Sequence, residues 1–218
     1  MTASPGKNRE KIEEILANLH LTNVEIKTDE DPDVKPYIFK RKEKWVDVEL
    51  PEQLLRVINT LDKIMKDVQK ELEKFGYLEK SDLSTGLSKT KMFNISKEID
   101  TKINTNRDQN VLSELFYLKK LVSNAIRISH MTDLLEAQGI NPLLDYFNKN
   151  IKEIEDRKAS KSAFVLFASP EIQDIYQNLV DLNKNNVFHP KMSILKDLLE
   201  VQMLNNPNSR VLVFAHFR

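Results

Sequence analysis

The sequence predicts a mainly α-helical chain: a multi-helix bundle of long antiparallel helices, with short β segments only near its two ends. Three observations lead there. Asp108 to Gln138 reads as a single helix of about thirty residues, roughly 45 Å long at 1.5 Å rise per residue. Pro51 opens a second long helix, in which Leu54, Ile58, Leu61, Met65, Val68, Leu72 and Phe75 recur at alternating steps of four and three. That seam is built to pack lengthwise against another long helix. Strand-like patterning is confined to short pieces outside Pro51 to Lys184.

The N-terminal part is mixed. Met1 to Gly6 is extended and ends in a Ser-Pro-Gly turn. Lys7 to Leu19 is amphipathic, with Ile12, Ile15, Leu16 and Leu19 inward. Val24 to Ile26 reads as a short strand, and Thr28 to Pro36, acidic with two prolines, as an exposed connection. Lys44 to Leu50 alternates, Val46, Val48 and Leu50 on one side and Asp47 and Glu49 on the other, as a strand does. Trp45 beside it suits core packing.

After the Pro51 helix, Gly76 stops the chain and Lys80 to Ser88 reads as a Ser/Gly/Thr loop. Lys89 to Ile103 is a third helix, with Met92, Ile95, Ile99 and Ile103 inward. The central helix follows, capped by Asp108 and ended by Gly139. Its apolar residues, among them Val111, Leu115, Phe116, Leu118, Val122, Ile126, Met131 and Leu135, are too widely spread for a one-sided stripe. Other helices should cover most of its circumference. Polar residues keep a narrow strip of Ser113, Lys120, Asn124 and Arg127, with Lys119 and Ser123 beside it.

Asn141-Pro142 predicts an N-cap and first-turn proline for a helix to about Arg157. Arg157 to Ser162 is a basic loop. Ser169-Pro170 and His189-Pro190 start two more helices, the last with Met192, Leu195, Leu198 and Leu199 inward. Val211 to Phe214 is an all-apolar strand of the kind buried in parallel sheets. A strand of that kind without a neighbour is not a stable end, so the chain reads as a fragment.

Composition narrows the function. At 218 residues and 40% hydrophobic, the chain fits one domain with short flanks. No run is long enough for a membrane span, and Met1 to Leu19 has no signal-peptide core. The absence of cysteine excludes disulfides, thiolate catalysis and cysteine-bound metal, and makes an intracellular setting the default. Lys+Arg and Asp+Glu are equal at 33 each, so any basic surface must be local. With only four glycines, at 6, 76, 86 and 139, no glycine-rich phosphate cradle can form. The histidines His20, His130, His189 and His216 show no metal-ligand spacing and read as structural. Asp29-Glu30-Asp31 reads as a solvated loop.

Two landmarks frame the chain. Thr2-Ala3-Ser4-Pro5-Gly6 resembles the third motif of superfamily 2 helicases, which closes the first RecA-like domain. Arg210 to Arg218 resembles the fourth motif, the first strand of the second RecA-like domain. Between them, Asp31 to Tyr37, Trp45 to Pro51, Leu134 to Gly139 and His189 to Met192 resemble, in order, the insert of archaeal Hef helicases and the Fanconi anaemia M-type translocases. The resemblance covers nearly the whole chain. It implies residues 1–50 as the end of one RecA-like domain with a connecting segment, 51–187 as the helical, thumb-like insert, and 188–218 as the start of the second RecA-like domain. It implies an ATP-dependent parent, with ATP and Mg bound outside these residues, acting on forks or junctions in DNA repair. The fragment itself is then no ATPase and carries no cofactor, metal or catalytic residue. Thr2 and Ser4 would couple nucleotide state to DNA binding in the parent.

Phosphate neutralisation supplies most nucleic-acid affinity, so basic clusters are the natural DNA contacts. Lys63, Lys66 and Lys70 share a face of the Pro51 helix, where Asp62 and Asp67 stand ready for ion pairs with Lys66 and Lys63. Lys119, Lys120 and Arg127 lie on the central strip, where Ser113, Asn124 and Arg127 could equally bond a neighbouring loop. Lys149, Lys152, Arg157, Lys158 and Lys161 run into the loop after the next helix, and are the foremost expectation. Aromatic residues are too few for a single-strand stacking platform. The competing readings are a protein-interaction module docking through helix faces, and the insert of an RNA-directed helicase.

Overall fold

The structure, a computed structural model, describes residues 8–22, 27–28, 30–38 and 42–214, with the backbone alone at 83–85. The motif-like Thr2–Gly6, the strand expected at Val24–Ile26, Asp29 of the acidic run and His216 lie outside the described residues. The chain divides into two compact units, one up to Val46 and one from Asp47.

The first unit holds helix α1 (Arg9–Asn18), whose Asn8 cap accepts from the Lys11 N–H at 3.4 Å. None of its residues is buried. Ile12, Ile15 and Leu16 are half-covered, and Leu19 is exposed, not inward. A single 3-10 turn, Lys35–Tyr37, follows the acidic segment. Trp45 is 89% exposed, against the expectation of core packing.

The second unit is helical. Helices α2 (Glu52–Lys74), α3 (Lys80–Thr85), α4 (Lys89–Thr105), α5 (Gln109–Ala137), α6 (Ile140–Glu155), α7 (Lys161–Phe167), α8 (Pro170–Lys184) and α9 (Lys191–Asn205) follow in order. Helix α5 is the spine, and α2, α4, α6 and α7 all pack against it. Most of the α2 seam behaves as its period predicts: Leu54, Ile58, Leu61, Val68 and Leu72 are buried, while Met65 is half-buried and Phe75, past the helix's end, is exposed. From α5 come Leu115, Leu118, Val122, Ala125, Ile128, Met131, Leu134 and Leu135. The other end of the core is aromatic, with Phe147 of α6 edge-on to Phe167 of α7 at 5.5 Å between ring centres.

Several local expectations are corrected. Residues 80–85 form a helix rather than a loop, because Glu79 and Asp82 make a reciprocal capping box, the Asp82 carboxylate accepting from the Glu79 N–H at 2.8 Å. Helix α6 begins at Ile140 with Gly139 as its cap, two residues ahead of the Asn141 cap expected. Pro142 still sits in the first turn, where its missing N–H has no intrahelical partner to lose. Gly139 has φ +94, and a Cβ there would lie 2.8 Å from the Cβ of His189, so both conformation and space require glycine.

The stretches 44–50 and 211–214 form no strand, and no strand occurs among the described residues. A strand needs a neighbour to accept its backbone hydrogen bonds, and neither stretch has one here. Helix α9 is likewise uncovered. It has no buried residue and packs on no other described helix; Met192 is 71% exposed and Leu198 is also exposed, although both read as inward. Its start is tied to the end of α5 by polar contacts. The His189 Nε2 lies 2.9 Å from the Glu136 carbonyl, and the Lys191 Nζ donates to the Ala137 carbonyl at 3.2 Å. No helix among the described residues is long and apolar enough to cross a membrane.

Candidate nucleic-acid interface

Packing sorts the eleven basic candidates into cations held by the fold and cations left for a ligand. On α2, Lys70 pairs with Asp67 at 2.9 Å, so Asp67 does not serve Lys63 as its spacing suggested. Lys63 and Lys66 are exposed and make no ion pair. On α5, Lys119 is a bridge to α4: its Nζ donates to the Ser96 hydroxyl at 2.8 Å and meets the Asp100 carboxylate at 2.5 Å. Arg127 turns toward the start of α7, donating to the Ser162 hydroxyl at 3.2 Å, the Ser160 hydroxyl at 3.1 Å and the Asn124 side chain at 3.4 Å. The neighbouring-loop reading therefore describes Arg127 alone: Asn124 meets only Arg127 of its own helix, and Ser113 donates within the helix to the Gln109 carbonyl. Lys120, between them in the strip, is exposed and unpaired. In the third cluster only Lys158 has a partner, Asp156 at 3.2 Å. Lys149, Lys152, Arg157 and Lys161 are exposed.

The fold joins parts of the second and third clusters. Helix α7 comes back against α5, and two adjoining cavities open between them. One, of about 460 Å³, is lined by Lys120, Ile154, Arg157, Ala159, Lys161, Phe164 and Val165. The other, of about 630 Å³, is lined by Ser113, Phe116, Lys119, Lys120, Ser123, Ser160, Lys161 and Ser162. Lys120 and Lys161 belong to both. No carboxylate lines either cavity, whereas clefts elsewhere in the bundle carry Asp67, Glu71, Glu171 and Asp174. Opposite charges are mixed across the surface, yet this groove collects one sign. Lys149 and Lys152 are not among its lining residues.

Local structure fixes how Arg157 arrives there. Helix α6 ends with paired bonds from the Arg157 N–H to the Ile154 carbonyl at 3.0 Å and from the Lys158 N–H to the Glu153 carbonyl at 2.8 Å. This is the Schellman arrangement, which needs a left-handed residue at its centre. Glycine serves after α2, where Gly76 has φ +76. After α6 the position is held by Arg157 at φ +57. A long side chain in that region carries a conformational cost of about 1–2 kcal/mol, and non-glycine strain of this kind gathers at functional sites. Ser160 then caps α7, accepting from the Ala163 N–H at 3.2 Å while holding Arg127.

Several lining residues were not singled out from the sequence as contacts. Phe116 read as core, but Ser113, Phe116, Lys120, Ser123 and Arg127 are spaced three, four, three and four along α5, so the ring belongs to the polar strip. Phe164 follows from recognising α7 and its Ser160 cap, which brings Ser162 into place as well. Among the described residues no three His, Cys, Asp or Glu side chains gather as a metal-ion set.

Comparison with known proteins agrees with the bundle. Residues 54–186, more than half of the chain, match the family model described as "Putative ATP-dependent RNA helicase, helical bundle". The chain is 29% identical over its whole length to "Putative ATP-dependent RNA helicase MJ1505" of Methanocaldococcus jannaschii, covering 26% of that protein. It is 24% identical to the ATP-dependent DNA helicase MPH1 of Saccharomyces cerevisiae, again over its whole length and over 22% of the relative. It thus spans about a quarter of the length of these curated relatives. The crystal structure of the Pyrococcus furiosus Hef helicase domain superposes on the entire chain with a TM-score of 0.70 at 29% identity, the match covering 44% of that domain. The expected kinship with Hef-type superfamily 2 helicases holds, and the chain belongs to the helicase helical-bundle family.

Proposed function

We propose that this chain is the nucleic-acid-gripping insert of an ATP-dependent superfamily 2 DNA helicase or translocase that acts on forks and junctions in repair. The observation that carries the reading is the α5–α7 groove, where Lys120, Arg157 and Lys161 converge with no carboxylate among its lining residues. Such a surface holds a phosphate backbone without reading sequence. The bundle would move as a rigid body between two RecA-like motor domains, with 1–50 and 188–218 as the connections to them. ATP and Mg would bind on those motor domains, and the 218 residues would contribute no catalytic group.

Fluorescence anisotropy with fork, duplex and single-stranded DNA at low and moderate salt tests this. Affinity should fall with salt, with a slope of about 0.7–0.9 per phosphate contacted. The charge reversals Lys120→Glu and Lys161→Glu should weaken binding while leaving helicity unchanged. Binding that is absent at low salt, or indifferent to it, would sink the proposal. The relatives' names divide between RNA and DNA helicases, so competition between RNA and DNA duplexes decides the polymer.

A second reading, a protein-docking module, is favoured by one observation: the apolar residues Met192, Leu198, Val201 and Leu204 of α9 are exposed. It predicts self-association or partner capture, measurable by light scattering, that is insensitive to Lys120→Glu.

A further inference from the structure

Phe116 and Phe164 come from different helices, α5 and α7, and both rings are about half exposed, at 52% and 54%. Each lines one of the two adjoining cavities, Phe116 with Ser113 and Ser123, and Phe164 with Ile154 and Arg157. The two lysines common to both cavities, Lys120 and Lys161, therefore have an exposed aromatic ring to either side. Neither ring has an aromatic partner among the described residues, although Phe147, Phe167, Tyr146 and Tyr176 pack together through tilted and edge-on contacts. Core packing accounts for those four rings and leaves these two out.

Charge and shape together select the occupant. A groove with cations and no carboxylate favours a polyanion over a protein helix, whose own acidic and basic groups are mixed. The Ser123 hydroxyl adds a donor suited to phosphate and sugar oxygens; the Ser113 hydroxyl is spent on the Gln109 carbonyl, and those of Ser160 and Ser162 are engaged with each other and with Arg127. Flat apolar rings flanking such cations suit a polyanion that also offers flat faces. A nucleic-acid strand does so when its bases are unpaired; in a continuous duplex those faces are hidden in the stack.

We infer that the α5–α7 groove binds an unpaired nucleic-acid strand, with phosphates on Lys120 and Lys161 and bases stacked on Phe116 and Phe164. The aromatics are too few for an extended stacking platform, as the sequence indicates, and the two rings of the groove hold one base each. This rests on the backbone-gripping role proposed above and narrows its substrate to the single-stranded arm of a branched molecule. Lys120 and Lys161 supply charge-dependent affinity, and the two rings supply the preference for unpaired bases.

The test uses the full 218-residue chain and three labelled probes of equal length: an oligo-dT strand, the same backbone with abasic sites in place of thymine, and a continuous duplex. Stacking is worth about 1–3 kcal/mol per base, or roughly 5- to 150-fold in affinity. The strand with bases should therefore bind at least about fivefold tighter than the abasic strand. Phe116→Ala and Phe164→Ala should each remove most of their share of that difference and leave abasic binding unchanged. Phe116→Leu, which keeps an apolar side chain of good helix propensity, should lose as much as the alanine variant. Circular dichroism checks that each variant is folded. Equal binding of thymine and abasic strands by the unaltered chain, still salt-dependent, would overturn the stacking and leave the backbone grip standing. Variants that weaken both strands equally would likewise overturn it, since the rings would then be shaping the groove. No binding of any probe at low salt would overturn both proposals.

Discussion

Replacing Arg157 with glycine separates what this residue costs the fold from what it supplies to the groove. The backbone at 157 sits at φ +57, at the centre of the turn that ends α6. An L-residue pays about 1–2 kcal/mol there relative to a right-handed conformation. Glycine removes that penalty but adds about 0.4–1 kcal/mol of unfolded-state freedom. The net expectation for Arg157→Gly is a gain of about 0.5–1 kcal/mol, or roughly 1–4 °C in Tm for a chain of this size. The guanidinium is exposed and has no acidic partner, so no ion pair is lost to offset the gain. Nucleic-acid affinity should move the other way, with the salt slope falling by about 0.7–0.9 for one lost phosphate contact. Arg157→Ala is the control: it loses the same charge and keeps the left-handed Cβ, so binding falls without the rise in stability. Thermal unfolding and anisotropy on the three proteins give both axes. If Arg157→Gly is no more stable than Arg157→Ala, the strain argument is wrong. If Arg157→Ala binds as tightly as the parent with an unchanged salt slope, Arg157 is outside the interface.

Adjacent lysines on α5 should behave oppositely: Lys119→Ala should destabilise by about 1 kcal/mol through its lost bonds to Ser96 and Asp100 with the salt slope intact, and Lys120→Ala should lower the slope with stability within about 0.5 kcal/mol. Denaturant melts and salt titrations separate them. Phe147→Ala empties the aromatic end of the core, where the ring is fully buried, and should cost about 3–5 kcal/mol in urea unfolding. Burial, with Asp133 and Asp62 adding to it, pushes the Glu136 carboxyl above the ordinary carboxylate range. A carboxyl raised in the folded state weakens the fold once ionised, and the penalty fades as pH falls toward its unfolded value. Glu136→Gln should therefore raise Tm at neutral pH, with the gain shrinking in acid; a gain that is constant from pH 4 to 8 would contradict the assignment.

How much was legible beforehand follows from the range of each interaction. Helices α2 and α5 were readable because their apolar spacing is set by neighbours three and four residues away, and Asp108 caps α5 through the Asn110 N–H at 2.8 Å. Short elements were harder. Helix α3 rests on a capping box within an apparent loop, and α7 is seven residues long, too short for periodicity to announce it. The expected strands at 44–50 and 211–214 and the inward face of α9 are patterns that need a partner surface, and a pattern does not supply one.

The basic residues show the same division more sharply. The sequence by itself determined that charge must be local, that Lys119, Lys120 and Arg127 share one strip, and that Arg157 to Lys161 leave a helix as a basic turn. It could not determine that the strip and the turn are one surface, because Lys120 and Lys161 are 41 positions apart in the chain and only the packing of α7 on α5 brings them to the same cavities. Nor could it decide that Lys119 is consumed by Asp100 while Lys120, one residue on, is left free: both line the groove, but a step of about 100° around the helix brings only Lys119 within reach of α4.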